Sequence, residues 1–280
     1  MPLNFKSNVI KFVRYSLIIS ATAIYLVPIL YMLLGSFKPD DHVLSGIFNK
    51  LQYVAEHYSL QNFRDVFERV DFKRYLANSL IITGCVVFFG LVVNAMAGYA
   101  LARFHWQGRK LTLTIILAIM IIPMEATAVP LFYQLSILGL RNTYVVQIIP
   151  FIANAFFIVL FYTYFLSLPK ELKEAAYMDG ASPWRTFLFI VLPNSKPVLA
   201  SVAILSFLLQ WGNYLWPLLM VSDENVRPLS LAISTFYTLP PLQWGDLFAF
   251  GVLMVLPVLI VFIVFQKWFV QGVVASSHKA

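Results

Sequence analysis

Charge is scarce in this chain: Asp, Glu, Lys and Arg together make 12% of its 280 residues, against about 25% in an ordinary soluble domain. Hydrophobic residues stand at 60%, too many for a globule solvated by water. There is one cysteine, Cys85, inside an apolar run, so no intrachain disulfide can shape the loops, and the thiol reads as a packing residue. No glycine directly precedes a lysine, which leaves no phosphate-cradling loop and means that any ATP used must be hydrolysed by another chain. His42, His57, His105 and His278 stand apart, without the paired spacing of a metal site or a hydrolase. Ionisable residues, which a proton- or sodium-coupled carrier places inside the membrane, are limited to Glu125. The formal charge of +7 would suit nucleic acid in a soluble chain; here its distribution over the loops reports topology instead.

What the chain has is apolar runs of about 20 residues, the length that crosses a bilayer as a helix. They lie near 15–36, 75–101, 112–133, 144–165, 198–221 and 247–269, and they predict an all-α integral membrane protein with six transmembrane helices. The first run is longer than the apolar core of a signal peptide and lacks a cleavage site, so it reads as an uncleaved anchor kinked at Pro28. In the loop that follows, Leu60, Phe63, Val66, Phe67 and Val70 recur at helical spacing and predict a short amphipathic helix. Span 2 is flecked with Asn78, Ser79, Thr83, Gly84, Gly90, Asn94 and Gly98, small or polar residues that let helices approach inside a bundle. Span 3 is broken by Pro123 and Pro130 with Glu125 between them, span 4 is bent at Pro150, and span 6 is kinked at Pro257. Basic residues crowd the N-terminus, the Arg103 connector and the stretch after span 4, whereas those of the first long loop are balanced by acids. That asymmetry places both termini and the 169–197 segment in the cytoplasm. The layout is thus a cytoplasmic N-terminus over 1–14, a six-helix domain over 15–270 and a cytoplasmic tail over 271–280.

Residues 169–197 form the longest polar stretch on that inner side. Pro169 suits the first turn of a helix, with Leu172, Ala175 and Ala176 on one face; Asp179-Gly180 stops it, because glycine enters the left-handed cap without a Cβ clash. Ser182-Pro183 opens a second helix bearing Trp184, Phe187, Leu188 and Val191, and Leu192-Pro193 closes it. So much apolar area calls for a cover, either a partner protein or the membrane surface itself. On span 5, Gln210 to Pro217 combines Trp211, Asn213, Tyr214 and Trp216, whose rings and amide suit sugar faces and hydroxyls but also suit an aromatic belt. Glu125 reads either as a group hydrogen-bonded near an outer gate or as a proton relay.

Glu174-Ala175-Ala176, Asp179-Gly180-Ala181, Ile190, Leu192-Pro193 and Pro197 resemble, at matching spacing, the EAA loop of bacterial ABC importer permeases. Ala100-Leu101-Ala102-Arg103-Phe104, Ile122-Pro123, Pro130-Leu131 and Trp211-Gly212-Asn213-Tyr214-Leu215-Trp216-Pro217 extend the resemblance to the permeases of carbohydrate importers, the maltose-transporter group. In the last motif Gly212 intervenes where the usual pattern has Trp directly before Asn. The resemblance implies a helix-turn-helix loop between spans 4 and 5 that couples to a separate ATPase. It also implies a second, homologous permease, a dimer of ATP-binding subunits, an extracytoplasmic substrate-binding protein and the bacterial inner membrane as location. ATP would be used by the partner, with no cofactor in this chain. No Lys or Arg lies mid-span, which favours a neutral saccharide over a glycerol phosphate compound. An ion-coupled carrier is the remaining alternative.

Overall fold

The computed structural model describes residues 3–44, 59–169 and 171–277; for residues 3–8, 172, 173, 175 and 268–277 it describes the backbone alone. Among the described residues there is no strand. The described residues hold fourteen α-helices, numbered here in chain order: α1 (Leu3–Gly35), α2 (Asp40–Val43), α3 (Gln61–Arg69), α4 (Phe72–Arg103), α5 (Arg109–Ile119), α6 (Met124–Ile137), α7 (Tyr144–Ile152) and α8 (Ala155–Ser167), then α9 (Glu171–Met178), α10 (Pro183–Thr186), α11 (Lys196–Trp211), α12 (Leu215–Met220), α13 (Leu229–Ala232) and α14 (Trp244–Ser277). Four described stretches are long and apolar enough to cross a membrane: Val9–Gly35, Phe72–Arg103, Tyr144–Ser167 and Trp244–Lys267. Two bent pairs, Arg109–Ile119 with Met124–Ile137 and Pro183–Val191 with Pro193–Trp211, bring the number among the described residues to six if each pair is one span.

The spans depart from the sequence expectation where proline and polar residues redirect the backbone. Span 3 turns by 99° between α5 and α6. The break is at Pro123, whose backbone is extended (φ −69°, ψ 143°), whereas Pro130 is accommodated inside α6. Span 5 does not run unbroken to residue 221: α11 ends at Trp211, and Gly212, Asn213 and Tyr214 intervene before α12. At the far end α14 continues through Ser277, past the expected limit of the span and into the expected tail, because no proline follows Pro257 to stop it.

The chain divides into two compact units, residues 1–72 with 233–256 and residues 73–232 with 257–280. The first holds the predicted amphipathic helix as α3, with Val66 buried on it and Val70 buried at its C-cap, while Leu60 and Phe67 are exposed. Its loops are tied by polar groups that have little access to water. Asn62 Nδ2 donates to the carbonyls of Ser36 and Lys38 at 2.9 and 2.7 Å, and Arg69 reaches Asp246 Oδ2 at 2.5 Å, Gln243 Oε1 at 2.8 Å and the Pro241 carbonyl at 2.8 Å. Asp246 is fully buried, so Arg69 gives its charge the partner that a buried carboxylate requires.

The second unit is built on a close contact between two helices. Gly98 of α4 lies against α8, where a Cβ would come within 2.6 Å of Phe161 Cβ and 2.9 Å of the Tyr162 nitrogen. This is the close approach that small residues permit between membrane helices. Ala95, Tyr99, Ala102, Phe157, Phe161 and Phe165 fill the contact, joined by Phe187 and Val191 from the segment after α9 and by Val198 and Val202 of α11. Asn94 bridges the break between α7 and α8: its Nδ2 donates to the Ile152 carbonyl at 2.9 Å and its Oδ1 accepts from the Asn154 nitrogen at 2.9 Å.

Candidate functional site

The segment after span 4 is a helix, a tight turn and a second helix. α9 ends in a paired cap: Gly180 N–H donates to the Tyr177 carbonyl at 3.0 Å and Ala181 N–H to the Ala176 carbonyl at 2.9 Å. Gly180 holds φ at 74°, where a Cβ would be strained. Ser182 caps α10 by accepting from Arg185 N–H, with Pro183 in the first turn. Residues Phe187–Val191 then widen into a π turn, with Leu192 N–H reaching the Phe187 carbonyl at 2.9 Å. Leu192-Pro193 closes the second helix, as the sequence suggests, and the chain bends there by 43°. The chain passes through a short 3₁₀ turn at Pro193–Ser195 directly into α11. Side chains serve carbonyls at the junction, Asn194 Nδ2 on Ile190 at 2.7 Å and Ser195 Oγ on Val191 at 2.6 Å. One face of this segment is rooted in the bundle: Thr186, Phe187 and Val191 are buried, and the Phe187 ring lies 4.9 Å from that of Tyr99. The other face is bare, with Met178 88%, Phe189 74% and Trp184 53% exposed.

A cavity of about 320 Å³ lies in the same unit. Its polar wall comes from four elements: Glu125 of α6, Asn154 at the start of α8, Ser206 and Gln210 of α11, and Asn213 in the break before α12. Val86, Phe151, Phe157 and Leu209 are among its apolar lining. No lysine or arginine is among the described residues that line it. An apolar chamber with a few convergent amides and hydroxyls is the form small-molecule sites take.

A profile described as binding-protein-dependent transport system inner membrane component matches residues 90–275. The chain belongs to this family. It is 34% identical over 259 residues to the diacetylchitobiose uptake system permease protein NgcG of Streptomyces coelicolor, covering 91% of this chain and 84% of the relative. It is 33% identical over 224 residues to the sn-glycerol-3-phosphate transport system permease protein UgpE of Pectobacterium atrosepticum, covering 77% and 80%. Its fold matches a chain in the crystal structure of a bacterial ABC transporter involved in the import of the acidic polysaccharide alginate, with a TM-score of 0.82, 24% identity and coverage of 95% and 98%. It is therefore a multi-pass ABC transporter permease of the inner membrane.

In this permease the residues singled out by sequence fall into distinct places. Of the 169–197 set, Glu174, Asp179, Gly180 and Pro193 are exposed, Ala181, Ile190 and Leu192 are half-buried, and Ala176 is buried; the Ala175 side chain lies outside the described residues. Of Trp211, Asn213, Tyr214 and Trp216, only Asn213 is among the described residues that line the cavity, where it joins Glu125 and Gln210. Trp211 is buried and stacked on Phe207 at 5.3 Å, and Tyr214 is exposed. Trp216 is buried among Val146, Met220 and Leu231. Its Nε1 donates at 2.8 Å to the Val146 carbonyl, whose ordinary helix partner would be the missing N–H of Pro150. The same substitution occurs at Pro217, where the Asn213 carbonyl accepts from Ser230 Oγ at 2.7 Å. Packing on Phe207 and the bond to the Val146 carbonyl thus engage the two tryptophans that flank the break, and neither is among the described residues lining the cavity. Asn154 and Ser206 gave no sign in the sequence beyond being polar within apolar runs.

Proposed function

We propose that this permease carries a neutral saccharide or sugar-derived substrate across the inner membrane, driven by ATP that a separate pair of subunits hydrolyses. The observation that carries the substrate reading is the wall of the 320 Å³ cavity, where amides and a hydroxyl stand beside aromatic and aliphatic groups with no cation. Sugars present hydroxyls and apolar CH faces together, and such a wall meets both. The diacetylchitobiose relative supports the same class. Import of a glycerol phosphate compound is the second reading, favoured by the UgpE relative but opposed by a lining that offers the phosphate no lysine or arginine. In this proposal Asn213 and Glu125 line the path, Glu125 as a gate group, Tyr214 borders it, and Trp211 and Trp216 brace the break from behind.

The 169–197 segment is then the coupling loop. Its bare Met178, Trp184 and Phe189 fit a cleft of the ATPase, and its buried Phe187 and Val191 pass the motion to α4 and α8. The basic residues of the short connectors favour a cytoplasmic loop and cytoplasmic termini at 1–14 and 271–280, with the membrane domain over 15–270. A second permease, an ATPase dimer and an extracytoplasmic binding protein complete the importer. The test is uptake by proteoliposomes holding the complete importer. Uptake of lactose, maltose, trehalose or diacetylchitobiose that needs ATP and survives collapse of ion gradients supports the reading. Uptake of glycerol 3-phosphate in their place supports the second reading, and uptake that stops with the proton gradient at constant ATP would make this an ion-coupled carrier.

A further inference from the structure

Beside the main cavity is a second one of about 10 Å³, lined by Ser79, Thr83, Gln147, Gln210, Asn213, Pro217, Pro228 and Ser230. That volume admits roughly one water molecule. Gln210 and Asn213 line both spaces, so the small one adjoins the large one through these two residues. Most of its polar groups are already engaged. Ser79 Oγ accepts from Leu229 N–H at 2.8 Å, Ser230 Oγ donates to the Asn213 carbonyl, and Gln210 Nε2 donates to the Gln147 carbonyl at 3.4 Å.

Gln147 differs. It is 1% exposed, and its Nε2 is turned to the Val226 carbonyl at 3.0 Å. Reversing the amide would set oxygen against oxygen, so the orientation is determined by Val226. The opposite atom, Oε1, is buried and has no hydrogen-bond partner among the described residues. A buried acceptor left bare is costly, and one beside a polar space calls for a donor that enters that space.

We infer that Gln147, with Gln210 and Asn213, forms a second subsite that accepts one hydroxyl of the substrate. In this structure it has the size of a water, with the buried Ser230 of α13 and Pro228 before it on one wall. The inference rests on the saccharide reading above, since a substrate rich in hydroxyls is the ligand that supplies such a donor. It assigns Gln147 a part in selecting hydroxyl-bearing cargo after the binding protein has delivered it.

The test is sugar moved per ATP hydrolysed, measured in proteoliposomes of the complete importer with saturating loaded binding protein. The probe is the sugar among lactose, maltose, trehalose and diacetylchitobiose that the wild type imports. Gln147→Met keeps the length of the side chain and removes the acceptor, and should lower sugar per ATP about three- to tenfold, the value of one hydrogen bond. Thr83→Val, a near-isosteric change on the same wall, should lower the ratio less. A Gln147 that only holds α7 to the Val226 segment would reduce uptake and ATP hydrolysis in parallel. That result, or an unchanged ratio in both variants, overturns the subsite while the saccharide reading stands. A wild type that imports none of the four sugars removes both.

Discussion

The 169–197 segment and the 210–217 stretch are built from the same kinds of residue, tryptophan, proline and glycine, yet one displays them and the other hides them. Trp184 is 53% exposed beside a glycine turn, whereas Trp216 is 1% exposed beside a glycine and proline break. The difference lies in what the neighbouring helices need. Around 210–217 a proline on another helix has left a carbonyl without its donor, and the indole N–H supplies one. Around 169–197 the turn satisfies its own backbone through Ser182 and the cap at Gly180. Its outward rings are therefore left for a surface outside this chain. An aromatic cluster near proline is thus a brace where a bent neighbour lacks a donor, and an exposed face where the backbone is already complete; docking of that face on an ATPase is what the loop variant below tests.

The largest effect should come from the root of the display segment. Gly98→Val forces methyl groups towards Phe161 Cβ and the Tyr162 backbone nitrogen, which lies within 2.9 Å of the position of a Cβ and cannot rotate away. Overpacking of this kind costs about 1–3 kcal/mol or more, so the melting temperature of the purified permease should fall markedly and the amount in the membrane with it. Unchanged stability would mean that α4 and α8 separate freely and that the loop is not rooted there. Next in size is Gly180→Val. A β-branched residue at φ 74° costs about 1–2 kcal/mol but lies at an exposed turn with nothing within 4 Å, so the bundle should hold. ATPase co-purification and uptake should both drop sharply at normal membrane levels. Normal recovery of the ATPase together with normal uptake would detach the turn from docking.

The contrast also explains what could be read from the chain alone. The Gly180 turn was legible because its determinants lie within a few residues: Asp179-Gly180 to end one helix, Ser182-Pro183 to begin another. The long apolar helices were legible for the same local reason, as was the burial of Val66 on α3 and of Val70 at its C-cap, although Leu60 and Phe67 of the same spacing are exposed. The sharp bend at Pro123 was visible only as a break, since proline marks where a helix stops but neighbouring helices decide the angle. The cavity was hardly legible. Glu125, Asn154, Ser206 and Asn213 come from sequence positions far apart, and no spacing rule joins them. The tryptophans of 210–217 drew attention by their chemistry, while the carbonyl freed by Pro150, which accounts for Trp216, is distant in sequence.

Asn213→Ala should have a smaller effect than the glycine changes and a selective one. Its side chain lines the cavity and accepts from Trp216 N–H at 3.4 Å, a long bond of little strength, so the backbone break should persist without it. Loss of one amide towards a sugar hydroxyl corresponds to about 0.5–1.5 kcal/mol. Uptake by the assembled importer should therefore fall several-fold, with more loss of uptake than of ATP hydrolysis. Equal losses in the two would place Asn213 with the braces and not on the path.

The smallest expected effect separates the two uses of tryptophan most cleanly. Trp216→Phe keeps an aromatic ring between Val146 and Met220 but removes the indole N–H, so the Val146 carbonyl loses its donor at a point where Pro150 cannot replace it. A buried carbonyl left in this way costs about 1–3 kcal/mol in water-soluble proteins, and polar contacts between membrane helices average nearer to about 0.6 kcal/mol. The melting temperature should accordingly fall by a small but measurable amount, and uptake per assembled importer should stay close to that of the wild type. If Trp216 instead stacks on the cargo, phenylalanine would keep part of the ring face, while the missing indole would lower uptake without lowering stability. Measuring both on one preparation decides between these outcomes. A stable Trp216→Phe importer with impaired uptake would move Trp216 from brace to path, and the comparison between displayed and hidden aromatics would then fail at its most buried residue.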